Sequence, residues 1–326
     1  MRVLVTGGHG FVGSHLVRRL VAVGDAVRCV VRSGRPPAAL EGLPVEVVAG
    51  DLDAPATLER VCDGMDEVYH LAARLTARAR REMQRTNVVG TRALLAAARR
   101  AGGVRRFVHC SSLAAAGPSA PGVPRVEGRD GRPVTWYGAS KAAAEREVEA
   151  AAAAGLPTTV VRPPVVYGPR DRGLLSVFQA ASRGLLPLLG AQPKVYSWVF
   201  GDDLAEALLV LGRHPATVGR TYYAAHDEVV SMETFLEVAV RAAGRRGRRL
   251  RVPDSLLRLA AGAADLVAQA TGRPAMLTRD KTHELVAPAW VCSSARAAAE
   301  AGWSARTPVA TGVPATMRWY RDAGWL

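Results

Sequence analysis

The first half of the chain alternates short apolar runs with longer segments of helical periodicity. The runs RVLVT, AVRCVV, VEVVAG, EVYHLA, RRFVHC and TTVVRP have the length and composition of strands. Amphipathic segments of about ten to twenty residues lie between most of them. This alternation predicts βαβ units, and hence an α/β fold in which a doubly wound parallel sheet is covered by helices on both faces.

After about Pro164 the pattern loosens, and glycine and proline become frequent. A helix is predicted in DDLAEALLVLG, a strand in TYYAA, and a further helix capped by Ser231. We therefore predict a first domain over residues 1–165 and a smaller, mostly helical region over 166–326. The second region is expected to pack closely on the first and to return some strands and helices to its core.

One later segment, SLLRLAAGAADLVAQATG, is apolar enough to raise the question of a membrane. It contains Arg258 and Asp265 and is shorter than the roughly 20 residues that a span requires. We expect no membrane span, and an amphipathic helix packed on the body rather than one lying on a membrane surface. The N-terminus enters a strand directly, and the four cysteines are far apart, so we expect a cytoplasmic protein without disulfides or a metal site.

The net charge of +14 is the excess of 43 basic over 29 acidic residues, and all but three of the basic residues are arginine. The arginines are scattered and carry no nucleic-acid-reading motif, so we expect no nucleic-acid partner. The densest cluster, RAAGRRGRRLR, ends at Arg251. It is interpreted as a solvated loop after a helix, with a docking patch for an acidic carrier or phosphorylated substrate as the alternative.

A glycine-rich loop, TGGHGFVG, follows the first predicted strand and opens the first helix. Gly7 permits a tight turn, Gly10 lets the backbone approach a pyrophosphate, and Gly13 begins a helix whose N-terminal amides attract anions. The sequence lacks the GK[ST] of a triphosphate loop. The pattern predicts that the first domain is a Rossmann-type dinucleotide-binding domain.

The end of the second predicted strand favours one form of the dinucleotide. NAD sites usually place a carboxylate there, whereas a 2′-phosphate requires a cation. This chain has Arg32, Ser33 and Arg35 and no acidic residue, which favours NADP (NADPH) over NAD. After the third strand, Asp51 and Leu52 are placed to contact the adenine.

The segment TWYGASKAAAE contains Lys141, the first lysine of the chain, four residues after Tyr137. On a helix both side chains project from one face. An ammonium and a cationic nicotinamide both favour the phenolate, so we expect the pKa of Tyr137 to be lowered for acid–base chemistry. A compact, rotatable ammonium also suits ribose hydroxyls better than a planar guanidinium.

Two serines, Ser111 and Ser112, follow the predicted strand RRFVHC. Ligands meet a parallel sheet at the carboxyl ends of its strands, so either hydroxyl is placed to hold a substrate oxygen near Tyr137.

These motifs together resemble the extended short-chain dehydrogenase/reductase family, which includes NAD(P)-dependent epimerases and dehydratases. The resemblance rests on TGxxGxxG, GDL, HLAA, NVVGT, the serine pair, YxxxK and RPPVVYGPRD, and it covers essentially the whole chain. It implies that Ser112 is the catalytic serine, with Ser111 as fallback, that Tyr137 is the general acid–base, and that Lys141 is its partner and a ribose ligand. His70 is implied to be structural. The implied cofactor contacts also include Phe11, Val12, Ala72, Ala73, Asn87, Ser111, Pro163 and Val166.

The resemblance leaves two reactions open. A reductase or dehydrogenase interconverts a ketone and a secondary alcohol and releases its cofactor after each turnover. A nucleotide-sugar epimerase or dehydratase instead retains its NAD. Val165 stands where sugar-nucleotide members commonly carry asparagine, and SSLAAAG offers no acidic residue of the dehydratase type. The pattern is similar to 3β-hydroxysteroid dehydrogenase-like and dihydroflavonol reductase-like members, which implies a lipophilic small-molecule substrate. The expected partners are that substrate and, as an open question, a second copy in a homodimer.

Overall fold

The computed structural model describes residues 1–128, 131–190, 192–271, 275 and 277–326. The strands are β1 Arg2–Thr6, β2 Ala26–Val31, β3 Val45–Ala49, β4 Glu67–His70, β5 Arg106–Cys110, β6 Thr158–Arg162, β7 Val165–Tyr167, β8 Leu185–Leu189, β9 Val195–Phe200, β10 Arg220–Tyr223, β11 Val229–Ser231, β12 Arg248–Val252 and β13 Ala289–Trp290. The α-helices are α1 Phe11–Ala22, α2 Arg80–Met83, α3 Gly90–Ala101, α4 Trp136–Ala153, α5 Leu175–Ser182, α6 Gly201–Arg213, α7 Met232–Ala242, α8 Asp254–Thr271, α9 Arg279–Val286, α10 Ala295–Ala301 and α11 Val309–Asp322.

Seven of these strands form one parallel sheet in the order β10–β6–β5–β4–β1–β2–β3. The six strands predicted in the first half all belong to it, which confirms the α/β prediction. The strand order reverses between β1 and β4, and in such sheets ligands bind in the crevice beyond the carboxyl ends of the strands at that point.

Helices cover both faces of this sheet because its strands are apolar on both sides. Val3 and Val5 of β1 pack with Leu16 of α1 and with α6 on one face. Leu4, which points the opposite way, packs with Leu94 of α3 and with α4 on the other face.

The second half of the chain is not separate from this core. β10 extends the seven-stranded sheet beside β6. The other strands form a four-stranded sheet from β7, β9, β11 and β13 and a pair of β8 with β12. Between the small sheet and α7 lies an aromatic cluster, in which Trp198 and Phe235 stack with ring centroids 4.1 Å apart. The division at residue 165 stays a prediction.

One element differs from the expectations drawn from sequence, and a second, α8, is the helix expected on the body. Part of the arginine cluster is not a loop, because residues 248–252 form β12, which runs parallel to β8. The partner strand lies about 60 residues earlier in the chain, so local sequence does not reveal it. Helix α8 packs by one face only, and Leu259 is 70% exposed on the other. Within the described parts of the chain, no helix is long and apolar enough to cross a membrane.

Candidate active site

The glycine loop turns sharply beyond β1 and meets the end of β4. Gly7 has a φ of +71°, and a Cβ there would lie 2.7 Å from the backbone nitrogen of Ala72. Gly10 precedes α1, whose N-terminus has no side-chain cap and no acidic residue in its first turn. The first amides of α1 are therefore available to an anion, which fits a dinucleotide pyrophosphate. Phe11, Val12 and Gly13 form the first turn of this helix.

Arg32 and Ser33 lie exposed on the turn after β2. Burial and the nearby Arg32 guanidinium lower the pKa of His9, which belongs to the glycine loop. Arg32 thus lies near the loop, and it has no acidic partner within 4.0 Å among the described residues. At the end of β3, Asp51 accepts a hydrogen bond of 3.0 Å from the Asp53 amide, and Leu52 is buried.

The N-terminus of α4 is held from two sides. Thr135 caps it, accepting a hydrogen bond of 3.1 Å from the Gly138 amide. From α9, the Asp280 carboxylate accepts hydrogen bonds of 3.0 and 3.1 Å from the Trp136 amide. Negative charge at a helix N-terminus is stabilising. Asp280 was not predicted as a site residue, since its contact with Trp136 spans 144 residues of the chain.

Tyr137 and Ser112 meet because α4 approaches the turn after β5 very closely. A Cβ on Gly138 would lie 2.3 Å from the carbonyl oxygen of Ala114, so only glycine permits this contact. Ser112 begins this turn and accepts a hydrogen bond of 3.1 Å from the Ala114 amide. Its hydroxyl is also near enough to the Tyr137 phenol for a hydrogen bond that lowers the tyrosine pKa.

The pKa of Tyr137 is shifted in the direction opposite to the sequence-based expectation. Burial, with smaller contributions from Cys110 and Glu284, raises the pKa of Tyr137 despite Ser112. The prediction that Lys141 lowers this pKa is wrong for the protein alone, because desolvation of the phenolate dominates and Lys141 is not among the charges that shift the pKa of Tyr137. Tyr137 is therefore a neutral phenol, able to donate a proton.

Lys141 is 2% exposed. Its Nζ donates a hydrogen bond of 2.7 Å to the carbonyl of Cys110 and lies 3.3 Å from Nε2 of His109. Burial lowers the pKa of Lys141, and burial with the Lys141 charge keeps the pKa of His109 well below its ordinary value. His109 is thus neutral and accepts from the ammonium through Nε2. His109 was not predicted as a site residue, although it lies on β5 just before the serine pair.

The two serines differ in their surroundings. Ser112 lines the cavity beside Tyr137, whereas the Ser111 hydroxyl is buried without a hydrogen-bond partner among the described residues. Pro163 supports the same region, since its carbonyl accepts a hydrogen bond of 2.8 Å from the Leu113 amide. Val166, from β7, lines the cavity.

Asn87 and His70 lie behind the site. Asn87 accepts a hydrogen bond of 2.7 Å from the Arg74 amide and donates one of 2.9 Å to Ser140 on α4. It therefore joins the loop after β4, which contains Ala72 and Ala73, to the helix of Tyr137. His70 bridges the hydroxyls of Thr6 and Thr91 at 2.7 and 2.8 Å, deep in the core.

A cavity of about 620 Å³ opens beside Tyr137 and Ser112. Most of its walls are apolar. They include Leu174, Val177, Leu188, Tyr196, Leu236 and Trp290. Charged residues from the second half of the chain also line the cavity, among them Lys194, Asp280, Lys281 and Glu284.

The two lysines of the cavity are both engaged. Lys194 donates a hydrogen bond of 2.5 Å to the carbonyl of Leu285, and Lys281 pairs with Glu284 at 2.6 Å. The second half of the chain, which supplies these charged residues, has no motif from which they could have been predicted.

A doubly wound sheet, with a glycine loop after its first strand and a Tyr–Lys pair beside an apolar cavity, is the arrangement of an NAD(P)-dependent oxidoreductase. Comparison with known proteins agrees. Residues 3–225 match the model of the NAD dependent epimerase/dehydratase family. The chain belongs to this family, whose members are extended short-chain dehydrogenases/reductases, which confirms the resemblance drawn from its motifs.

Its relatives include reductases. A ceramide reductase of Caulobacter vibrioides is 34% identical over 335 residues, covering 99% of this chain and 96% of that protein. A ketoreductase of Stigmatella aurantiaca, named for a farnesyl-bearing quinoline oxide, is 32% identical and covers 80% of this chain and 79% of its own. A UDP-glucose 4-epimerase structure from Thermotoga maritima superimposes with a TM-score of 0.83 over 99% of each chain. At 22% identity it shows the shared fold alone.

Proposed function

We propose that the protein is an NADPH-dependent reductase that interconverts a ketone and a secondary alcohol on a lipophilic small molecule. The observation that carries this proposal is the apolar cavity of about 620 Å³ that adjoins Tyr137 and Ser112. A cavity of this size and lining suits a largely hydrophobic ligand oriented by a few polar groups. The names of the ceramide reductase and the Stigmatella ketoreductase support the same class of substrate.

The residues of the chain supply binding and proton transfer. When bound, the dinucleotide supplies the hydride that is exchanged with the carbon bearing the substrate oxygen. The loop of Gly7, Gly10 and Gly13 would hold its pyrophosphate, and Arg32 its 2′-phosphate. Lys141 is the residue we assign to its ribose hydroxyls.

In the direction of reduction, Tyr137 donates its phenolic proton to the carbonyl oxygen of the substrate as the ketone is reduced to a secondary alcohol. Its raised pKa keeps that proton in place until the oxygen becomes basic. Ser112 holds the same oxygen, because its hydroxyl lies beside the phenol at the cavity wall. In oxidation, the same groups act in reverse.

The nucleotide-sugar alternative has less support in the cavity. A pyrophosphate requires several free cationic or amide donors, whereas Lys194 and Lys281 are already bonded to protein groups, and Arg251, the third cationic residue in the described cavity wall, also has an interaction partner. The 22% identity to the epimerase structure carries no information on substrate.

The test is to incubate the purified protein with NADPH or NADH and a series of aliphatic and isoprenoid ketones, following loss of the reduced cofactor. We expect turnover with NADPH, and no turnover in the Tyr137→Phe variant, which should still bind cofactor. Replacing one hydroxyl by hydrogen removes the proton donor, a loss of about 10²–10⁴-fold or more. Protein that retains NAD through purification and interconverts UDP-sugars without net cofactor turnover would sink the reductase proposal, and an active Tyr137→Phe variant would refute the acid–base assignment.

A further inference from the structure

Helix α8 presents a continuous apolar face to solvent. Leu256, Leu259, Leu266 and Val267 are 53, 70, 64 and 60% exposed, respectively. Successive members of this set are three, seven and one residues apart, which places all four on a single face of the helix. Exposed alanines fill the gaps on the same face, namely Ala260, Ala263 and Ala270. Single exposed apolar residues are ordinary, but a contiguous patch marks an interaction surface.

The opposite face of α8 is the one that holds the helix on the protein. Leu257, Ala261 and Ala268 are buried there. The carboxylate of Asp265 accepts a hydrogen bond of 3.0 Å from the Arg279 amide at the start of α9. The helix therefore lies on α9 with its apolar face outward.

Basic residues lie close to this face in sequence. Arg245, Arg246 and Arg248 are exposed within the ten residues before α8, and Arg258 is exposed on the helix itself. None of the four has an acidic partner within 4.0 Å in the described part of the chain. Arg249, between them, is different, since it pairs with Glu233 and Glu237.

We propose that α8 and the arginine segment 245–248 dock this protein on the surface of an anionic phospholipid bilayer. An amphipathic helix lies in the interface with its apolar face at the boundary of headgroups and acyl chains, and flanking arginines bind anionic lipid. A second copy is a poorer occupant. A symmetric contact would place the α8 face against itself and bring the arginines of both copies together.

The position of α8 in the chain also suits delivery of a lipophilic substrate to the cavity, a point that rests on the proposed function. Arg251, just before α8, and Thr278, Asp280 and Lys281, just after it, all line the cavity beside Tyr137. The substrate cavity is thus lined in part by residues of β12 and by residues at the start of α9, the elements before and after the docking helix in the chain. A lipophilic ketone would have a short path from the bilayer to the site.

The experiment is co-sedimentation of the full-length protein with vesicles of phosphatidylcholine alone or mixed with phosphatidylglycerol. We expect binding to the anionic vesicles only, weakening as salt rises. The double variant Leu259→Glu/Leu266→Glu should not bind. Replacing Arg245, Arg246 and Arg248 by glutamine should weaken binding roughly 100-fold, since each basic residue contributes a factor of about five.

Matched controls change exposed residues on other elements of the fold. Val218→Glu, at a site 43% exposed, and Arg99→Gln/Arg100→Gln, at the end of α3, should bind like the wild type. No binding by the wild type, or equal binding by the Leu259→Glu/Leu266→Glu variant, overturns the proposal. So does light scattering that shows a dimer disrupted by this double variant without any vesicle binding.

Turnover assays distinguish a failure of the docking surface from a failure of the proposed function. Turnover of a short, water-soluble ketone should be unchanged in the α8 variants, because the substituted side chains do not line the cavity. A protein that binds vesicles but reduces no ketone contradicts only the proposed function. One that reduces ketones but ignores anionic vesicles contradicts only the docking surface.

Discussion

The Nζ of Lys141 donates a hydrogen bond of 2.7 Å to the backbone carbonyl of Cys110, at the end of the strand that leads to Ser112. This bond holds a buried ammonium at the carboxyl edge of the sheet, where a dinucleotide is expected. A neutral His109 supplies the second acceptor.

Lys141→Arg should lower kcat by about 10²-fold or more, in the range found for loss of an acid–base group. The longer, planar guanidinium cannot occupy a site 2% exposed while keeping the bond to the Cys110 carbonyl. The measurement is steady-state turnover, with circular dichroism to verify folding. Arg146→Lys, an exposed exchange on the same helix, is the control. A folded Lys141→Arg variant with wild-type kcat would refute the need for a compact ammonium.

Arg32→Asp should raise the KM for NADPH tenfold or more, a loss of at least about 1.4 kcal/mol, while the KM for NADH stays the same or falls. The reason is that a carboxylate repels a 2′-phosphate but accepts from a 2′-hydroxyl. Arg99→Asp, with the same charge change on the last turn of α3, should alter neither constant. An unchanged KM for NADPH in the Arg32 variant would remove the argument for NADP.

Substrate chain length should affect kcat/KM directly. Each additional methylene buried in the apolar cavity contributes about 0.8 kcal/mol, or roughly fourfold, until the cavity is full. Val177→Asp, which places a charge in the cavity wall, should flatten this dependence while a short ketone is still reduced. Val218→Asp on the surface should leave the dependence intact. If kcat/KM is independent of chain length in the wild type, the cavity does not bind an alkyl chain.

The stability of the fold should fall on mild acidification because of His70. Thr91 donates to the Asn87 carbonyl, so its oxygen accepts from Nε2–H of His70, and Nδ1 of His70 accepts from Thr6. Burial and the Lys141 charge lower the pKa of His70 to about 3. In the unfolded chain this histidine binds a proton near its ordinary pKa of 6.5. The contribution of the neutral His70 to stability is therefore complete above that pH and is lost as the pH falls from about 6.5 toward 3.

The expected slope from His70 is about 1.4 kcal/mol per pH unit within this window. Urea denaturation at a series of pH values from about 6.5 to 5 measures it. His70→Gln should lower stability above this window but flatten the dependence of stability on pH within it. His283→Gln, at an exposed position on α9, should leave that dependence as it is in the wild type. A slope in His70→Gln as steep as in the wild type would show that His70 does not bind the proton.

The fold and the dinucleotide loop were accessible from sequence because they depend on local signals. The runs that became β1 to β6 carry strand periodicity, and Ser231 caps α7 as predicted, accepting a hydrogen bond of 3.0 Å from the Thr234 amide. Tyr137 and Lys141 share one face of α4 because they are four residues apart. Their catalytic roles, like that of Ser112, stay predictions.

Long-range contacts were not accessible. Sequence alone determined the α/β alternation, the glycine loop and the Tyr–Lys spacing, since each is encoded within a few residues. Only the tertiary structure decided that Lys141 bonds to Cys110 rather than lowering the pKa of Tyr137, that residues 248–252 form a strand, and that α8 leaves its leucines exposed. Each of these follows from burial or pairing between residues distant in the chain, and desolvation and packing exist only once those residues meet.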